Sequence, residues 1–174
     1  GYGITESGLR KQASPVDRVL AFSDSKGKAV SEILAVEFRS LQNNLRSIVV
    51  TDFEKMSTTG RKSIEGILAE DAGGAIAVFR SLLASPLSAY LNPCLVSGSS
   101  LLTDKRITDR FVKAATRWLR SRGHLLNLEV ERLETENFDR ITSTSSEWEP
   151  RLYVRFSTEI FETGLSKCLV GTRG

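Results

Sequence analysis

The sequence predicts an α/β fold built on a parallel sheet, and two observations carry that prediction. Apolar runs of strand length alternate with stretches whose apolar residues recur at helical spacing. Each apolar run then closes on a cluster of small or polar residues, as strands do where they pass into βα loops. At 174 residues and 40% hydrophobic content, the chain can bury one core. Residues 1–16, small, polar and Gly-rich, read as a flexible arm or boundary segment, and residues 17–174 as the domain.

The first strand is "RVLAFSD", Arg18 to Asp24, apolar and broken by Ser23, Asp24 and Ser25. Val30, Ile33, Leu34, Phe38 and Leu41 follow at helical spacing, with Asp24 or Ser25 available as N-cap. "LRSIVVTDFE" is the next strand, ending in Thr51 and Asp52, and a strand–helix–strand order with short connections calls for a right-handed parallel crossover. Residues 57–62 read as loop and 64–84 as helix, split or bent at Gly73 and Gly74. "CLVSGSS" is the third strand, ending in Ser97, Gly98, Ser99 and Ser100.

Thr103 or Asp104 would cap a helix of about four turns that stops at Gly123, with Ile107, Phe111, Ala114 and Trp118 inward. Arg106, Arg110, Lys113, Arg117 and Arg120 fall on the opposite stripe with no acid between them, and Arg110, Lys113 and Arg117 are candidate phosphate contacts. "LLNLEVERLE" alternates as a half-exposed strand that puts Glu129 and Glu131 on one face, and "ITSTSSEWEP" reads as loop. Ser157 or Thr158 would cap a short helix ended by Gly164, and "KCLVGTRG" supplies the last buried strand.

Composition narrows the chemistry. Lys and Arg number 24 against 21 Asp and Glu, a net charge of +3 that permits a nucleic-acid partner without requiring one. Cys94 and Cys168 lack metal-type spacing and sit in apolar runs, as buried core residues do. His124 is the single histidine, which excludes a His pair or His-rich metal shell. No apolar run approaches the ~18 residues of a membrane helix, and no signal-peptide pattern opens the chain, so a cytoplasmic, reducing location is expected.

In a parallel α/β sheet, ligands bind outside the carboxyl ends of the strands. The clusters Ser23-Asp24-Ser25, Thr51-Asp52, Ser97-Gly98-Ser99 and Gly171-Thr172-Arg173-Gly174 should therefore share one edge. Hydroxyls, glycine-flanked N–H groups and helix N-termini suit phosphate oxygens. The chain carries no G-x-x-x-x-G-K-[ST] and no DEAD-like acidic pair after a strand, so it is not expected to hydrolyse ATP unaided.

The order of "DRVLAFSDSKGKAVSEIL", "LRSIVVTDFE", "CLVSGSSLL", "STEIFETG" and "KCLVGTRG" resembles the second, C-terminal RecA-like domain of superfamily 2 DEAD/DEAH-type helicases, with "VGTRG" similar to the start of motif V and Val19 to Ser25 to motif IV. The resemblance spans Asp17 to Gly174. It implies a RecA-like parallel sheet flanked by helices on both faces, and a grip on the backbone of single-stranded DNA or RNA. Matched by position, Ser23, Asp24, Ser97, Gly98, Ser99, Gly171 and Thr172 become strand-contacting residues, and Arg173 a contact to phosphate or the facing domain. Motif VI and the first RecA-like domain are missing. The resemblance thus implies a helicase domain truncated within motif V, with no catalytic residue or metal ligand of its own, whose ATP and Mg²⁺ belong to the full-length parent. Two other readings share parts of the pattern. One is a receiver-like signalling module using Asp52 and Ser97, which lacks the expected Lys after the last strand. The other is a metal-dependent nuclease using Asp52, Glu54 and Glu129.

Overall fold

Side chains at alternating strand positions separate into two apolar clusters, one on each face of a six-stranded sheet. The computed structural model describes residues 2–5, 8–11, 25–51, 74–98 and 100–172, and the architecture is that of these residues. In chain order the elements are β1 (Tyr2–Thr5), β2 (Gly8–Lys11), α1 (Ser25–Leu41), β3 (Ser47–Thr51), α2 (Ala75–Ala84), α3 (Ser88–Leu91), β4 (Cys94–Val96) and β5 (Leu101–Asp104). They continue with α4 (Thr108–Ser121), β6 (Glu129–Arg132), β7 (Phe138–Thr142), α5 (Pro150–Glu162) and β8 (Cys168–Thr172). No described helix is long and apolar enough to cross a membrane.

The main sheet has the order β3-β8-β4-β5-β7-β6. β8 pairs in parallel with β3 on one side and β4 on the other, which is the parallel core the apolar runs call for. The all-parallel expectation is corrected beyond it. β4 turns through Ser97 to Ser100 into β5, an antiparallel hairpin with Cys94 opposite Thr103, and β7 and β6 add two further antiparallel strands. The result is an α/β fold on a mixed sheet.

On one face, Leu95, Leu102, Phe138 and Val170 pack with Leu34 of α1 and Ala75, Ile76, Val78, Phe79 and Leu82 of α2. α1 and α2 meet at small residues: Ser81 donates to the Gly27 carbonyl at 3.0 Å, and a β-carbon at Gly27 would lie 3.2 Å from that of Ser81. On the other face, Cys94, Leu101 and Ile141 pack with Phe111, Ala115 and Leu119 of α4 and with Leu152, Tyr153, Phe156 and Ile160 of α5. Helices thus cover both faces, as expected.

Several local expectations change. Thr103 and Asp104 do not cap α4; both are buried in β5, and the helix begins at Thr108. "LLTD" carries too few residues between the Ser-Gly turn and the helix for a strand to announce itself by pattern. Phe138–Thr142, which straddles the segment read as loop, is a strand whose charged residues find partners: Asp139 is fully buried on Arg132 and Thr108, and Arg140 bonds Glu131. α5 starts at Pro150, pre-set for the first helical turn, with Glu149 at the N-cap position, so Ser157 and Thr158 lie mid-helix instead of capping it. Its end at Gly164 (φ +78°) is as expected. Within the opening segment, β1 and β2 form an antiparallel two-stranded ladder. The strand expected at Arg18 to Asp24 and the helical stretch 64–73 lie outside the described residues.

Candidate functional site

Because β3, β8 and β4 run in parallel, their carboxyl ends open onto one sheet edge. Thr51 pairs with Thr172, and Gly171 lies between Val50 on one side and Val96 on the other. Extending the β4–β8 register by one residue brings Ser97 beside Thr172. Extending the β5–β7 register brings Ser100 beside Thr142, the last residue of β7. Thr51, Gly171, Thr172, Ser97 and Gly98, which the sequence assigns to three separate strand ends, are thereby gathered along one line. Ser23, Asp24, Ser99 and Arg173 lie outside the described residues, as do Asp52 and Glu54.

These groups differ in what they offer. Ser97 is buried and its polar atoms serve the hairpin: its hydroxyl accepts from the Ser100 N–H at 3.0 Å, its N–H donates to the Ser100 carbonyl at 2.9 Å, and its carbonyl accepts from Tyr153 at 2.8 Å. Ser97 shapes the turn. Gly98 sits at the turn's exposed tip, and a β-carbon there would meet no atom within 4 Å. Gly171 is also roomy, the nearest neighbour of an added β-carbon being the Val96 carbonyl at 3.6 Å. Thr172 is half-buried, and Thr51 donates to the Gly171 carbonyl at 3.4 Å. The edge presents hydroxyls and bare backbone, which suits phosphate oxygens and reads no base.

The second candidate feature is the basic stripe. Arg110, Lys113, Arg117 and Arg120 are exposed along α4. Arg106 leaves the stripe: it precedes the helix, and its guanidinium clasps the buried Asp104 carboxylate, with Nε 3.0 Å from each oxygen, and reaches the Ser88 hydroxyl. The hydrogen bond to Asp104 pushes the Arg106 pKa above its ordinary value. Beside the stripe, α4 and α5 enclose an open groove of about 610 Å³. Arg110, Lys113 and Arg117 form its cationic wall, and Glu159 and Thr163 stand in the α5 wall. Sequence reasoning missed the α5 contribution because it started the helix late. The i, i+4 series Leu152, Phe156, Ile160 after Pro150 is the signal that would have placed it.

Other candidates take structural roles. Glu129 and Glu131 share the exposed face expected of them, and Glu131 is tied to Arg140 at 2.9 Å. Among the described residues no three His, Cys, Asp or Glu side chains gather into a metal-holding group. His124 follows Gly123 and bonds Glu147 at 2.8 Å. Cys94 and Cys168 are buried, and burial pushes both thiols up, Cys168 to about 11. Comparison of the chain with protein-family models, curated proteins and solved structures returns no match.

Proposed function

We propose that the chain is a nucleic-acid-binding RecA-like domain, the C-terminal one of a superfamily 2 ATP-dependent helicase or translocase, which contributes strand contacts and does not turn over ATP unaided. One observation carries the reading: the parallel trio β3–β8–β4 lines up Thr51, Gly171, Thr172 and Gly98 at one carboxyl edge. Such an edge is where open α/β sheets take ligands. Its hydroxyl and backbone groups match a sugar–phosphate strand, and the "VGTRG" stretch that resembles motif V supplies two of these residues. In this reading the first RecA-like domain is the partner across the cleft, ATP and Mg²⁺ are held by the full-length parent, and the protein works in the cytoplasm. The given sequence carries no G-x-x-x-x-G-K-[ST] phosphate loop to hold a nucleotide itself.

The test is fluorescence anisotropy with labelled single-stranded oligonucleotides. The expected result is weak, sequence-independent and salt-sensitive binding, no ATP turnover, and affinity lowered about three- to tenfold by Thr172→Ala. ATP hydrolysis by the purified chain, or binding indifferent to Thr172→Ala, would count against the reading.

A further inference from the structure

The geometry of α4 and α5 points to a second binding surface: we infer that their groove is a track for a single nucleic-acid strand leaving the carboxyl edge of the sheet. This deepens the proposed function and rests on it for the edge. The track itself rests on separate observations.

The first is charge without compensation. Arg80, Arg132 and Arg140 are each ion-paired to a carboxylate on their own surfaces. Arg110, Lys113, Arg117 and Arg120 repeat at three- and four-residue spacing on one exposed face and make no ion pair among the described residues. Like charges at those spacings weaken a helix. A polyanion relieves that repulsion and gains from counterion release.

The second is the groove's cross-section. One wall is cationic, the floor holds Ala114, Trp118, Ile160 and Leu165, and the far wall carries the Glu159 carboxylate. A nucleic-acid strand is amphipathic in the same order, with phosphates on one side, apolar base faces in the middle and base amino donors on the other. Glu159 can accept from such amino groups. An acidic peptide would match the cationic wall and be repelled by Glu159, which is why the strand is the favoured occupant. Trp118 packs against Phe156 with the Arg122 guanidinium over its ring at 5.2 Å, which adds a further cation beside the groove, and its indole N–H is buried with no acceptor among the described residues.

The third is direction. β5 runs antiparallel to β4, so α4 starts at the far edge of the sheet and its C-terminal end returns toward the carboxyl edge. There the chain passes through His124, bonded to Glu147 just before α5. Arg110 to Arg120 covers about 15 Å of helix, room for a few nucleotides beyond those at the edge.

The test compares labelled oligothymidylates of about 5 and about 20 nucleotides, lengths that bracket the site of one small strand-binding module. The variant R110A/K113A/R117A should weaken binding of the longer oligonucleotide about tenfold and reduce its salt slope by about 2, with the shorter one unaffected. Arg117→Lys should retain the longer-strand affinity. Loss of affinity in the triple variant with no effect of Thr172→Ala would sustain the track and sink the edge. The converse, Thr172→Ala effective and the triple variant silent at both lengths, would overturn the track alone. Equal loss at both lengths would also overturn it, as would competition by polyglutamate of matched charge as strong as that by unlabelled oligonucleotide.

Discussion

Thr51 and Thr172 are partners on the last paired rung of β3 and β8, and the Thr51 hydroxyl donates across it to the Gly171 carbonyl at 3.4 Å. That rung fixes how the edge is built, because Gly171 beside it has no positive φ and no crowding that would require glycine. The same holds for Gly98 at the hairpin tip. Neither glycine is explained by its own backbone, whereas close approach of a ligand backbone would explain both. Gly98→Ala and Gly171→Ala should therefore leave stability within about 0.5 kcal/mol of the parent chain, yet lower oligonucleotide affinity. Denaturant unfolding and anisotropy on the same preparations check the two halves. A stability loss matching the affinity loss would assign the glycines to the fold.

The C-terminus of α5 is held from a distance. Arg46, just before β3, donates from Nη1 to the carbonyls of Phe161 and Glu162, both at 2.7 Å, and its guanidinium lies over the Phe161 ring. Both carbonyls belong to the last helical turn, where that of Phe161 also accepts from the Gly164 N–H at 3.1 Å, and the cation meets the negative end of the helix dipole. Arg46→Ala should cost about 1 kcal/mol, with Arg46→Lys intermediate because an ammonium keeps the charge but lacks the planar fork. Urea midpoints of the three proteins test this order. Equal midpoints would mean that solvent satisfies the carbonyls equally well.

What the sequence makes legible follows from how local each signal is. β3, β4 and β8 are apolar runs with abrupt polar ends, so their positions, their parallel pairing and the edge they share are readable from the residue pattern alone. β5 and β7 cannot be read that way. Thr103, Asp104 and Asp139 are polar residues buried in strands, and partners make that burial tolerable for the two acids: Arg106, two residues on, for Asp104, and Thr108 and Arg132 on other elements for Asp139. The α4 stripe is legible from helical periodicity, but Arg106 departs from it because Asp104, placed by β5, captures its guanidinium. The groove depends on α5 packing against α4, a long-range relation that no local pattern encodes.

Asp139 is the most demanding of those buried acids. It is fully buried, and its Oδ2 accepts from the Thr108 hydroxyl at 2.7 Å and from Arg132 Nη1 at 2.6 Å, while Oδ1 has no partner among the described residues. Arg132 also reaches the exposed Asp109 at 3.0 Å, and its pKa is pushed up chiefly by the Asp139 charge. Arg132→Ala strands a buried carboxylate and should lower the melting temperature clearly. Asp139→Asn removes the buried charge and sets an amide beside Thr103, the ladder neighbour of Asp139, whose hydroxyl has no partner among the described residues, so it should be the milder change. Asp109→Ala should have little effect. A larger loss for Asp139→Asn than for Arg132→Ala would show that the ion pair itself, not the stranded charge, sets the stability.

The two cysteines give the fold a defined alkaline limit. Burial raises the Cys168 thiol from 9.0 to about 11 and raises Cys94 in the same direction, helped by its neighbour Cys168. Both thiols are thus harder to ionise in the folded chain than in the unfolded one. The folded state binds the protons more tightly, so this contribution is fully present below about pH 9 and is lost as pH rises through about 11. Urea unfolding from pH 8 to 11 should show stability falling more steeply for the parent chain than for C94A/C168A, whose other titrating groups are unchanged. At pH 8 the native thiols should react with a disulfide reagent only as fast as the chain opens, since the thiolate is the nucleophile and burial suppresses it. Parallel pH profiles for the two proteins, or rapid labelling of the native chain, would mean that the thiols are solvated and that burial does not set their protonation.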